Sequence, residues 1–165
     1  MINLITAVSI ITLCAVDQLI KLAVKNYLLP LGSVVIIPRV LELKYVENTG
    51  AAFGSMSNNT FALSVFTSAL IIACLVALFS GKVKDKVLRV CLVMIVSGGM
   101  GNLLDRMFRG TKFFCGYVID YINLLFVDFA VFNFADCLIT VGCFVLIFYV
   151  LFADKFKKKK VKKDD

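Results

Sequence analysis

Four long apolar stretches constrain this chain more than any other feature of its sequence. They lie near residues 1–24, 61–79, 87–104 and 134–153, and each is close to the ~20 residues that a helix needs to cross a bilayer. Hydrophobic residues make up 61% of the 165 positions and charged residues 18%, against about 45–50% and about 25% in a soluble domain. The sequence therefore predicts an all-α membrane protein with four transmembrane helices. We expect one integral domain over 1–154 and a basic tail over 155–165.

Two connections between these stretches have the composition of strands. Residues 34–37 are apolar, residues 41–46 alternate between apolar and charged side chains, and residues 117–122 are rich in β-branched and aromatic types. Alternation with a period of two is typical of a half-buried strand. We therefore expect a small β-structure at the membrane surface.

The basic residues indicate how the chain is oriented. Of its 18 Lys and Arg residues, 7 lie in the tail and 4 in the connection 82–89, and basic loops stay on the cytoplasmic side. Both termini are predicted inside, which places the polar ends of the four helices together on the outer side. The tail has a single aromatic residue and no folded basic face, so we expect it to face membrane lipids and predict no nucleic-acid partner.

The absence of histidine limits the available chemistry. It excludes Ser-His and Cys-His nucleophile systems and His-based zinc sites, and we expect neither a metal nor another cofactor. Asp17 and Lys21, four residues apart on a helix, are predicted to form an ion pair. Asn102, Asp105 and Arg106 share a helix face, and the Arg106 guanidinium is expected to keep Asp105 ionised.

Asp120 and Asp136 differ from the other acids. Asp120 is bracketed by apolar residues, and Asp136 begins the fourth helix with Asn133 three residues before it. Two such carboxyls brought together would share one proton, as in aspartic proteolysis, where one takes a proton from water and the other donates to the scissile carbonyl. The residues alone leave three alternatives open: helix caps or polar loops, a small ion-coupled transporter, or an assembly subunit.

Five segments resemble the bacterial lipoprotein signal peptidases, or signal peptidase II. They are Asp17-Gln18 with Lys21, Asn48-Thr49-Gly50-Ala51-Ala52-Phe53-Gly54, Gly101-Asn102 with Asp105-Arg106, Val118-Ile119-Asp120-Tyr121-Ile122, and Phe132-Asn133-Phe134-Ala135-Asp136. The resemblance implies an aspartic endopeptidase of the bacterial plasma membrane. Such an enzyme removes the signal peptide of diacylglyceryl-modified prolipoproteins just before the lipidated cysteine.

The resemblance also implies roles for individual residues. Asp120 and Asp136 would be the catalytic dyad, and the surface segments would form a small β-structure on the outer leaflet and a mobile flap over the cleft. A monomer is expected. The residues that would line or support the site are Asn48, Gly50, Asn102, Arg106 and Asn133, together with Asp17, Lys21 and Asp105.

Overall fold

The computed structural model describes residues 1–50 and 60–161, with side chains as far as residue 152. It contains helices α1 (Ile2–Ala23), α2 (Thr60–Phe79), α3 (Lys86–Phe108) and α4 (Phe134–Val161), and strands β1 (Ser33–Ile37), β2 (Leu41–Asn48) and β3 (Val118–Leu124). A π-helical turn and a short 3₁₀ segment extend α1 to Leu31. All four helices include a segment long and apolar enough to cross a membrane. The predicted membrane fold is confirmed.

Helix α3 is the centre of the bundle, because it packs against α1, α2 and α4. A buried cluster of Ile10, Ile71, Val93 and Val96 joins it to the first two helices. Gly98 lets α4 approach closely: a Cβ at this position would lie 2.3 Å from the carbonyl oxygen of Ala135. Outward side chains of α4 are apolar and exposed, which suits a face in contact with lipid.

The three strands form one antiparallel sheet in the order β1-β2-β3. Val46 pairs with Asp120 and Asn48 with Val118, so the end of β2 lies beside the start of β3. Leu28, Ile119 and Tyr121 pack beneath the sheet as a second buried cluster. The strands predicted from the residue pattern are confirmed, and the sheet holds Asp120 beside the start of α4.

Some sequence expectations stay predictions. The backbone of α4 continues to Val161, so the helix includes part of the predicted tail, and the division at 154 is untested. The flap is also untested. Residues 51–54 of the second quoted segment lie outside the described residues.

Candidate active site

Asp120 and Asp136 reach one cavity from two different elements. Asp120 lies on β3, Asp136 lies in the first turn of α4, and both line a cavity of about 540 Å³. Asn133 links them, since its side-chain Nδ2 donates to Asp120 Oδ1 at 2.6 Å and its backbone N–H donates to Asp136 Oδ2 at 3.0 Å. The structure therefore brings together the two carboxyls that the sequence singled out.

The start of α4 is capped in a way that fixes Asp136. Asn133 is the residue before the helix, and its Oδ1 accepts the backbone N–H of Asp136 at 3.0 Å while Asp136 accepts the N–H of Asn133. This reciprocal arrangement is a capping box. The next two free amides are also satisfied, because Phe134 N–H donates to Tyr121 Oη at 3.2 Å and Ala135 N–H donates to Asp17 Oδ1 at 3.2 Å. The first turn of α4 is thereby held by β3 and α1.

Asn48 and Gly50 hold the other side of Asp120. Asn48 Nδ2 donates to Asp120 Oδ2 at 2.8 Å, and Asn48 Oδ1 accepts the Gly50 N–H at 2.9 Å. Arg106 Nη2 in turn donates to the Gly50 carbonyl at 3.1 Å. Both carboxylate oxygens of Asp120 thus accept an amide N–H, and both donors belong to asparagines named from the sequence.

A buried ion cluster lies behind Asp136. Lys21 Nζ lies 2.9 Å from Asp17 Oδ2 and 2.9 Å from Asp105 Oδ2, and all three side chains are fully buried. The same Nζ donates to Asn102 Oδ1 at 2.8 Å, and Asn102 Nδ2 donates to Asp136 Oδ1 at 2.7 Å. The predicted pair of Asp17 and Lys21 is confirmed, and Asn102 connects it to the candidate dyad.

The cations beside Asp105 differ from the prediction. Asp105 contacts Lys21 and Arg109, the latter at 2.7 Å, while Arg106 turns to the Gly50 carbonyl. The expectation that Arg106 pairs with Asp105 is wrong because adjacent helical residues point in different directions, whereas residues four apart share a face. Gln18, which was quoted in a motif but given no role, also contacts Asp105: its Nε2 donates to Asp105 Oδ1 at 3.1 Å.

The environment of Asp120 changes its acidity. Burial raises its pKa from 3.8 to about 6, and the negative charge of Asp136 adds to this rise. The hydrogen bonds from Asn48 and Asn133 act in the opposite direction, but burial is the largest effect. A carboxyl with such a pKa can carry a proton near neutral pH, as a general acid must.

The cavity that contains the two carboxyls is mainly apolar. Aromatic and aliphatic side chains form most of its wall, and its polar groups gather at one end around Asp120, Asp136, Asn102 and Arg106. The apolar part comes largely from the connection between β3 and α4, namely Phe126, Val127, Phe129, Val131 and Phe132. Such a cavity suits a largely apolar peptide segment whose backbone meets a few fixed polar groups.

No group of three or more His, Cys, Asp or Glu side chains that could hold a metal ion is found among residues 1–50 and 60–152. The chemistry that the described residues offer is acid-base catalysis by two carboxyls, with asparagine and arginine donors around them.

Comparisons with known proteins agree with this geometry. A lipoprotein signal peptidase of Streptococcus thermophilus is 39% identical over 142 residues, covering 85% of this chain and 88% of the relative. One from Clostridium acetobutylicum is 34% identical over 161 residues, covering 96% and 98%. A solved bacterial membrane enzyme superposes with a TM-score of 0.76 at 25% identity, covering 88% of this chain and 87% of its own.

The family profile described as Signal peptidase (SPase) II matches residues 9–152. This range includes every residue that the sequence assigned to the site, all of α2 and α3, and most of α1 and α4. The protein is therefore a multi-pass membrane protease that belongs to the signal peptidase II family, the lipoprotein signal peptidases.

Proposed function

We propose that this chain is an aspartic endopeptidase that cleaves diacylglyceryl-modified prolipoproteins just before the lipidated cysteine, with Asp120 and Asp136 as its dyad and water as its nucleophile. One observation carries the proposal: the two carboxyls line the same cavity and are bonded to the same residue, Asn133. Membership of a peptidase family favours this function over the transporter and the assembly subunit.

The surroundings of the two carboxyls suggest which of them is protonated and which is ionised. Asp136 accepts N–H groups from Asn102 and from the Asn133 backbone and lies in the first turn of α4, where the helix dipole favours a negative charge. Asp120 is buried and has a raised pKa. We therefore assign the shared proton to Asp120 and the negative charge to Asp136.

The reaction follows from this assignment. Asp136 removes a proton from water as the water oxygen attacks the scissile carbonyl carbon, and Asp120 donates its proton to the carbonyl oxygen. The product of this step is a gem-diol, with Asp136 protonated and Asp120 ionised. When the C–N bond breaks, Asp136 passes its proton to the leaving amine and Asp120 regains one from a gem-diol hydroxyl. The dyad is then ready for another turnover.

Three further groups position the dyad and the substrate. Lys21 donates to the oxygen of Asn102, which directs the Asn102 amide nitrogen to Asp136. Arg106 lines the cavity, and its Nε is buried without a hydrogen-bond partner among the described residues. The other N–H groups of this guanidinium can donate to a backbone carbonyl of the bound peptide.

The apolar wall indicates how substrate enters. We propose that the lipidated precursor enters sideways from the outer leaflet of the bacterial plasma membrane, so that its acyl chains stay in lipid while the peptide crosses the dyad. Both termini then lie in the cytoplasm, as the positive charges of the connection 82–89 and the tail indicate. The enzyme acts as a monomer without a cofactor.

A cleavage assay tests the proposal. Purified wild type, Asp120→Asn and Asp136→Asn are incubated in detergent with a diacylglyceryl-modified prolipoprotein, and the product is followed by gel shift. Asp128→Asn is the matched control, because Asp128 is exposed on the connection that forms the cavity wall.

We expect wild type and the control to cleave the lipidated precursor and neither dyad variant to do so. Unlipidated precursor should stay intact. Cleavage by either dyad variant at the wild-type rate would disprove the dyad, and equal cleavage of unlipidated precursor would disprove the proposed substrate.

A further inference from the structure

Arg89 is a buried cation at the end of the bundle opposite the dyad. It lies in the first turn of α3 and is only 9% exposed. Its Nη1 donates to Thr6 Oγ1 at 3.2 Å and to the Leu78 carbonyl at 3.4 Å, and its Nη2 donates to the Val83 carbonyl. These acceptors are neutral. No carboxylate lies within 4.0 Å of the guanidinium among the described side chains.

The known contacts of Arg89 leave part of its guanidinium unused. The bonds to Leu78 and Val83 satisfy carbonyls at the end of α2 and in the following connection, which is a structural role. However, a guanidinium has five N–H donors, and Nε is buried with no partner among the described residues. A buried charge of this kind requires an anion or further hydrogen bonds. The α2 contacts alone therefore do not account for Arg89.

A groove between α1 and α3 leads along the bundle from Arg89. Its volume is about 280 Å³, and its wall is apolar except for Thr6, Ser9 and Arg89. On α1 it extends from Ile2 to Leu13, which corresponds to ~16 Å at 1.5 Å per residue. The groove is thus apolar along its length and has a cation near one end.

The surface around this end is positively charged. Lys82, Lys84 and Lys86 are exposed nearby, and the carboxylate of Asp85 caps α3 by accepting the N–H of Leu88 at 3.0 Å. Anionic headgroups are attracted to such a surface. Charge complementarity therefore selects an anionic occupant rather than a zwitterionic or neutral one.

We propose that this groove binds one anionic phospholipid of the adjacent leaflet, with its phosphate at Arg89 and one acyl chain between α1 and α3. The N–H of Nη2 that bonds no acceptor among the described residues can donate to the phosphate, and the guanidinium charge attracts it. Thr6 keeps the guanidinium in place, because its hydroxyl donates to Ile2 and accepts from Arg89. The site is separate from the dyad and does not depend on the proposed peptidase mechanism.

Lipid retention in native mass spectrometry tests the site. Full-length protein is extracted from nanodiscs of phosphatidylcholine and phosphatidylglycerol in equal parts, and the lipids that stay bound are identified. Arg89→Gln removes the cation, and Ser9→Phe fills the groove while leaving Arg89 in place. Lys25→Gln is the matched control, since it removes an exposed charge at the other end of α1, away from the groove.

We expect wild type and Lys25→Gln to retain one phosphatidylglycerol, and both groove variants to bind it about tenfold more weakly. Thermal unfolding in phosphatidylcholine alone checks that the variants fold. If Arg89→Gln does not fold, Ser9→Phe still tests the proposal. Equal retention of the two lipids by wild type would overturn the proposal. Equal retention of phosphatidylglycerol by Ser9→Phe and by wild type would also overturn it. Binding of inorganic phosphate at Arg89 in discs that lack phosphatidylglycerol would overturn it as well.

Discussion

The buried carboxyl of Asp120 makes the stability of the protein depend on pH in a way that one substitution should remove. Asp120 is 2% exposed, and burial raises its pKa from 3.8 to about 6. The folded protein therefore holds this proton more tightly than the unfolded chain does. The resulting stabilisation is complete below about pH 4 and is lost as the pH rises through about 6. A shift of ~2 units corresponds to a loss of about 3 kcal/mol in the free energy of unfolding.

Asp120→Asn should abolish this dependence because an amide does not titrate. The substitution also lowers the free energy of unfolding by an amount that does not depend on pH, and this loss follows from the two neighbours of Asp120. Asn48 and Asn133 both point an Nδ2 at the carboxylate, and the new amide has only one oxygen to accept them. An unsatisfied buried donor costs about 1–3 kcal/mol. The variant should thus be less stable than wild type near pH 4. Near pH 7 it should be about as stable as wild type, or more stable.

Chemical unfolding in detergent micelles between about pH 4 and pH 7 measures both effects. The decisive quantity is the change in unfolding free energy across this range, which should be about 3 kcal/mol larger in wild type than in Asp120→Asn. Asp128→Asn should behave like wild type, because Asp128 is exposed. The same pH dependence in wild type and Asp120→Asn would refute the argument from burial.

Three further predictions concern activity and packing. If Asp120 supplies the proton to the carbonyl, kcat/KM should fall about tenfold per pH unit above about 6, and a pH-rate profile that rises there would reverse the assigned roles. Lys21→Met should lower the free energy of unfolding by about 3–5 kcal/mol, because it leaves buried carboxylates without their cation; a loss below about 1 kcal/mol in chemical unfolding would contradict this. Gly98→Ala should cost about 1–3 kcal/mol through its contact with the backbone of α4. Gly99→Ala, whose Cβ would meet only the Ile71 side chain at 3.2 Å, should cost less in the same measurement.

The fold was largely predictable because its main elements are encoded by local patterns. Apolar runs of membrane-spanning length predict helices without any knowledge of their partners. The alternation in 41–46 predicts β2 for a similar reason, since side chains of a strand alternate between its faces. Helix α3 continues to Phe108, beyond the apolar run that ends near 104. This last turn contains Asp105 and Arg106, which are polar yet buried against other parts of the protein, so an apolar run does not extend over it.

The site was predictable only where its contacts are local in sequence. Asp17 and Lys21 are one helical turn apart, so their pairing follows from spacing. The partnership of Lys21 with Asp105 depends on how α1 packs against α3, and the bond from Phe134 to Tyr121 depends on where β3 lies beside α4. Neither relation leaves a signal in the spacing of residues. Tyr121 was for this reason quoted as part of a motif but given no role.

The buried ions explain how an amide in this site obtains a defined orientation. The oxygen and nitrogen of an asparagine amide have almost the same shape, so sterics alone do not decide which of them faces Asp136. Lys21 and Asn133 decide it, because the Lys21 ammonium can only donate and lies 2.8 Å from Asn102 Oδ1, and Asn133 Nδ2 donates to the same oxygen at 3.1 Å. Asn102 must then direct its Nδ2 to Asp136. The buried cluster of Lys21 and two carboxylates is thus connected, through Asn102, to the group that we assign as the base. Replacing the cluster with apolar residues could preserve the packing but would remove one of the two donors that hold the Asn102 oxygen away from Asp136, leaving only Asn133 Nδ2 among the described residues.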